Sequence, residues 1–259
     1  MPLTDYQVDL ARLLSQSRSF DSYLAGGSVI LIEPNTIRFS RALDYFHDSE
    51  KRVAEAFATD EALLSESGYA VEVELSQIGY VRAIVSKGEE ATKIEWARDS
   101  SWRFMPTVHD PRVGYRLHPA DLAVNKVLTV AGRDEARDVL DLLHFHRNLL
   151  GLGCLCWAAC GKDPGFSPLS LLELLGRRGR VHQDDLMRLD LAEPVDLQAL
   201  KTEWLDALGS VRPFVDSRPP DEVGCLYYSA HLKAFADPRD ADDAVPHFGR
   251  PGGVLPSFG

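Results

Sequence analysis

The chain has 259 residues, 45% hydrophobic and 26% charged, which is room for one large domain or two modest ones of ordinary globular composition. Its formal net charge of -11 excludes a bulk nucleic-acid coater, because neutralising phosphates needs a net basic surface. No run of eighteen apolar residues occurs and the first twenty residues lack the basic-then-apolar order of a signal peptide, so no membrane partner is expected and the cytoplasm is the expected location.

A first helix is expected over "DYQVDLARLLSQ", with Thr4 as N-cap. An apolar run interrupted by Gly26-Gly27-Ser28 follows, then a turn at Pro34-Asn35 and a strand over "IRFSRALDYF". "SEKRVAEAFATDEALLSESG" reads as a helix closed by Gly68. "AVEVEL" alternates strictly, which predicts a half-buried strand, and "YVRAIVS" and "TKIEWA" predict two more joined at "KGEE". A short extended piece at "GYRL" leads into one helix containing Asp121 and Lys126 and a second from about Arg133. The pattern predicts an α+β fold: helices with a mixed, mostly antiparallel sheet in residues 1–150, a helical region in 151–212, and a tail rich in Pro, Gly and Asp in 213–259, of which "PRDADDAVPHFGRPGGVLPSFG" is expected to be extended or poorly ordered.

The four cysteines include "CLCWAAC", whose spacing is not that of a zinc site, so buried free thiols on a helix are expected. His144 and His146 are two apart on a helix and point to different faces. "GRDEAR" and "GRRGR" are candidates for a local basic cleft, or are solvated segments.

Other residues could carry chemistry. Gly26, Gly27 and Ser28 would let backbone N–H groups approach a phosphate, or are a turn. On a strand Ser40, position 42 and Asp44 share a face, where two carboxylates could hold divalent metal beside a triphosphate, with Glu95 as a third. Alone, Glu95 is equally a residue on a solvated sheet face. Lys126 could hold a nucleotide phosphate. Arg133 and Arg137, four apart, are expected on one helical face, with Asp134, Asp138 and Asp141 interleaved, which is also the pattern of an ion-paired solvated helix.

The order of these pieces carries more than any one of them. Gly-Gly-Ser, then Arg-x-Ser-x3-Asp-x-Phe, then an acidic strand, then "DLAVNK" and Arg-x3-Arg-Asp-x2-Asp-Leu resembles the AbiEii/AbiGii abortive-infection toxin family of polymerase-beta-like nucleotidyltransferases, over about residues 20 to 145. The resemblance implies a nucleotidyltransferase fold, Mg2+ as cofactor and an NTP as substrate. It further implies an RNA acceptor such as a tRNA 3' end, or a protein acceptor, and an antitoxin partner. It implies Gly27 and Ser28 on the phosphate side, Arg38 and Ser40 leading into the strand, Asp44 and Glu95 as metal ligands, Lys126 on the nucleotide phosphate, and Asp138 and Asp141 positioning Lys126 or acting in catalysis. The departure is Ala42, where the family pattern has the first of two metal-bridging Asp residues. Losing that ligand is expected to cost several kcal/mol in the barrier, about 10^2-fold or more in rate. It leaves open a chain that binds without catalysing, or a carboxylate replaced on purpose.

Overall fold

The computed structural model describes residues 3–30 and 38–256; the turn expected at Pro34-Asn35 and the start of the strand expected from Ile37 lie outside them. Two compact units are formed. One comprises the residues up to Trp102 with Pro106–His118 and Pro251–Gly253; the other comprises Arg103–Met105, Pro119–Arg250 and the residues from Val254. The division falls within the region read above as 1–150.

The first unit begins with α1 (Asp5–Leu14), where Thr4 and Gln7 form a reciprocal capping box. β1 (Ser22–Ala25), the short α2 (Gly26–Ile30) and β2 (Ala42–His47) follow. α3 (Glu50–Glu66) starts at the cap Ser49 and ends before Gly68, whose φ of +80° is the left-handed conformation that stops a helix. Then come β3 (Ala70–Gln77), β4 (Tyr80–Lys87), β5 (Glu90–Arg98), the two-residue β6 (Trp102–Arg103), β7 (Val108–Asp110) and β8 (Gly114–Arg116). Among the described residues they build a seven-stranded mixed sheet in the order β3-β4-β5-β2-β1-β8-β7. β2 runs parallel to β5 and β1 parallel to β8, and the other pairs are antiparallel.

One face of the central strands is the core. Leu43, Tyr45, Ala83, Val85, Ile94 and Trp96 are buried with Leu10, Leu14, Val53 and Leu64 of α1 and α3. Under α3 the Arg18 guanidinium pairs with Asp60, whose Oδ2 also accepts the Trp96 indole N–H at 2.7 Å, so the buried charges satisfy one another.

Two expectations for this unit change. Among the described residues Arg38–Arg41, expected within the strand, precede it, and β2 begins at Ala42, where the Ser40 hydroxyl donates to the Ala42 carbonyl at 2.7 Å and forms a local turn. β3, expected to be half-buried, is exposed along nearly its whole length, since it is a sheet edge paired only with β4. Its glutamates and the register shift between Val73 and Leu75 suit an edge that must not pair further.

The second unit is mainly helical: α4 (Pro119–Gly132), α5 (Ala136–Asn148), α6 (Leu152–Lys162), α7 (Pro168–Arg178), α8 (Gln183–Met187) and α9 (Leu197–Asp216). α6 is buried almost all round and holds Cys154, Cys156 and Cys160 as free thiols; Cys225 is likewise buried and free. Burial pushes these thiols up, Cys160 to about 12, which leaves them unreactive. The segment expected to be an extended tail is structured. After α9, β9 (Cys225–Ser229), β10 (Ala234–Phe235) and β11 (Ala244–Phe248) form a sheet in the order β10-β9-β11, and Cys225, Leu226 and Tyr227 are buried. α5 begins at Ala136, so Arg133 and Asp134 lie in the preceding connection, not on one helical face with Arg137. Among the described residues no helix is long and apolar enough to cross a membrane.

Candidate functional site

In the first unit the chain leaves β1 at Ala25, directly opposite Asp44 of β2, and turns at Gly26 with φ +62°. A Cβ on Gly26 would stand 2.2 Å from Asp44 Oδ2, and one on Gly27 would stand 2.5 Å from Arg38 Nη2. Gly26 is required by its left-handed backbone and by the Asp44 side chain, whose Oδ2, Cγ and Cβ all stand under 3.0 Å from such a Cβ, while at Gly27 the Arg38 guanidinium end could move aside. Ser28 is fully buried and its hydroxyl donates to the Ala25 carbonyl at 2.9 Å, which ties the turn to the end of β1.

Opposite its core face, the sheet carries three cross-strand rows. Ala42 of β2, Lys93 of β5 and Ile84 of β4 make one; Asp44, Glu95 and Arg82 the next; Phe46, Ala97 and Tyr80 the third. All nine are only partly buried, in alternation with the core residues. The expected pairing of Asp44 and Glu95 is thus found, as register neighbours on parallel strands.

Glu95 is already engaged. Its Oε1 lies 3.0 Å from Lys93 Nζ and accepts from Arg82 Nε at 3.2 Å. Partial burial works to raise its pKa, but hydrogen bonds from Lys93 and Tyr80 and the nearby charges bring it below the usual carboxylate value. Lys93, Arg82 and Tyr80 were not among the residues singled out from sequence. The signal existed: "KGEE" predicts a hairpin, and counting pairs back from Lys87–Glu90 puts Arg82 opposite Glu95.

The second unit holds the other candidates. Lys126 of α4 is buried, with Nζ 2.7 Å from Asp138 Oδ1 and 2.8 Å from Asp141 Oδ2, and Arg133 Nε lies 2.8 Å from Asp138 Oδ2. Asp138 and Asp141, three apart on α5, therefore share the face that grips the lysine. Burial opposes the Lys126 charge, but the two carboxylates outweigh it and raise its pKa. Burial likewise opposes ionisation of Asp138, and the Lys126 and Arg133 charges overcome it, holding the carboxyl at about 2. Arg137 lies 3.8 Å from Glu135. At the start of α4, Asp121 accepts the backbone N–H groups of Phe104 and Met105 at 2.7 and 3.0 Å, and burial lifts its carboxyl to about 6.

"GRRGR" lines a cavity of about 300 Å³ in this unit. Arg177, Arg178 and Arg180 face Asp134, Glu135 and Asp185 there, so the cavity is of mixed charge and not a basic cleft. His144 stays close to Asn148 while His146 Nδ1 accepts the Leu152 N–H, which places the two histidines on separate partners.

A pair of bound Mg2+ ions needs several carboxylates on one side of a phosphate chain. Here position 42 carries a methyl group, Glu95 is bound by two cations, and among the described residues no three His, Cys, Asp or Glu side chains gather to hold a metal. The donor set as it stands does not fit a two-metal centre.

No family model matches the chain, and no curated protein matches it. Among solved structures it is similar to MenT4, a nucleotidyltransferase toxin from Mycobacterium tuberculosis H37Rv, at 17% identity and TM-score 0.57 over 83% of each chain. JHP933 from Helicobacter pylori aligns at 14% identity and TM-score 0.49, over 83% of this chain and 95% of its own. The likeness to MenT4 gives the chain the fold of that nucleotidyltransferase, the fold that the sequence motifs led us to expect.

Proposed function

We propose that this chain is a nucleotidyltransferase-fold toxin component that binds a nucleoside triphosphate. The reaction its fold is built for is transfer of NMP to an RNA 3' end, such as that of a tRNA, or to a protein hydroxyl. The observation that carries this reading is the Gly26-Gly27 turn seated on Asp44 and Arg38, with Asp44 in register with Glu95. Asp44 is the remaining ligand for Mg2+ and the Gly27-Ser28 turn lies on the phosphate side; the assignment of Lys126 to a nucleotide phosphate rests on the sequence motif alone, since its ammonium is buried and held by Asp138 and Asp141. Ser40, Arg133 and Arg137 keep the nucleotide-binding assignment that the sequence motif implies. An antitoxin partner and a cytoplasmic location belong to the same reading.

Ala42 and the double pairing of Glu95 favour a second state of this reading, in which the chain binds nucleotide without turning it over. The test is transfer of labelled nucleotide from each NTP, with Mg2+, to total RNA and total protein by the Ala42→Asp variant. Label should enter one acceptor class with the variant. If neither acceptor takes label and the variant does not inhibit growth when expressed, the transferase reading is wrong.

A further inference from the structure

The open sheet face carries cations where the family pattern calls for metal. Ala42 removes one negative charge, and its register neighbour on β5 is Lys93. The next row sets Arg82 against Glu95. Asp44 and Glu95 bring two negative charges to the central rows of this face and Lys93 and Arg82 two positive ones, with Glu74 of the edge strand also acting on Arg82. A three-carboxylate site would repel a phosphate chain until metal filled it.

The cations are also not used up by Glu95. Among the described residues Arg82 hydrogen-bonds through Nε alone, to Glu95 Oε1 and the Tyr80 hydroxyl, and its guanidinium carbon stands 5.6 Å from the Tyr80 ring centroid, which leaves the two terminal nitrogens as donors. Lys93 Nζ has one carboxylate contact for three N–H donors. Both side chains are about one third exposed, at 33% for Lys93 and 37% for Arg82. A guanidinium fork and an ammonium one row apart on neighbouring strands match the spread of oxygens on adjacent phosphates. Glu95 holds both cations through Oε1 and so limits the entropy lost when a ligand arrives.

We infer that Lys93 and Arg82 are a built-in phosphate-binding pair, and that this chain takes the polyphosphate of a nucleoside triphosphate without a divalent metal. The inference rests on the nucleotide-binding reading above and adds the residues and the ion requirement. It makes Glu95 a positioning residue for the two cations instead of a metal ligand.

The test is calorimetric titration of the full chain with each ribonucleoside triphosphate and with inorganic tripolyphosphate, once with Mg2+ and once with EDTA. Binding to the unaltered chain should survive EDTA within about threefold. Lys93→Ala and Arg82→Ala should each weaken it about tenfold, the loss expected for one charged phosphate contact. Lys93→Arg should retain most of it. Circular dichroism melts on each variant exclude unfolding as the cause. Binding that appears only with Mg2+ overturns the inference and leaves the nucleotide reading standing, as does binding in EDTA that neither variant weakens. No binding of any probe in either condition overturns both.

Discussion

The Lys126 cluster and the Glu95 cluster are built from the same charges in opposite arrangements. In the helical unit a cation is gripped by two carboxylates inside the protein, and every charged group has its partner. On the sheet face a carboxylate is gripped by two cations at the surface, and donors are left over. Burial decides what each can do. A buried charge must be matched almost completely, which fixes the geometry and makes its loss costly. A half-exposed cluster tolerates surplus donors because water satisfies them until a ligand does.

The largest effect should come from breaking the buried cluster. Lys126→Met removes the ammonium that Asp138 and Asp141 share in the interior, leaving Arg133 on Asp138, and should cost about 3–5 kcal/mol in urea unfolding of the full chain. A loss under about 1 kcal/mol would erase the contrast between the two regions.

A second prediction separates the two faces of β2 itself. His47, three residues beyond Asp44 and on the core face, is fully buried, and neither ring nitrogen has a hydrogen-bond partner among the described residues. Burial, with the Arg18 and Arg52 charges, depresses its pKa from 6.5 to about 3. The unfolded chain then takes up the proton first as pH falls, so the stability His47 contributes is present above pH 6.5 and is lost toward pH 3. Between pH 7 and 4 this amounts to about 3 kcal/mol. Denaturant midpoints across that range should fall steadily, and His47→Phe should flatten the slope; an unchanged slope would show that the ring is not the cause.

On the open face of the same strand, Ala42→Asp restores a carboxylate beside Asp44 and should raise Mg2+-dependent NMP transfer about 10^2-fold or more, read with labelled NTP. The smallest effect on stability should come from the surface cluster. Lys93→Ala should change the free energy of urea unfolding by less than about 1 kcal/mol, although it weakens nucleotide binding. If it destabilised the chain as much as Lys126→Met, Lys93 would be a structural ion pair and not a ligand donor.

Much of the sheet was legible because alternation in "YVRAIVS" and "TKIEWA" reports a face buried on one side, and Gly88 marks the turn between them. The same alternation misled at "AVEVEL". A period of two shows that faces differ in chemistry, not that anything covers one of them, and among the described residues β3 has no strand neighbour beyond β4. The tail was read as loose from its Pro, Gly and Asp content, but Tyr227, Phe235 and His247 give it a packed centre that composition averages away. The Gly-Gly turn and Asp44 were found by motif order, while their contact depends on the antiparallel register of β1 and β2, which no local pattern encodes. Lys93 and Arg82 were passed over because each looks like an ordinary surface cation until the register sets both beside Glu95.

The most direct measurement is a crystal structure of the unaltered chain with a non-hydrolysable nucleoside triphosphate in metal-free buffer. Phosphate oxygens should lie within about 3 Å of Lys93 Nζ and the terminal nitrogens of Arg82, on the sheet face that carries Asp44. A nucleotide that binds elsewhere, or on this face only after divalent metal is added, would contradict the account.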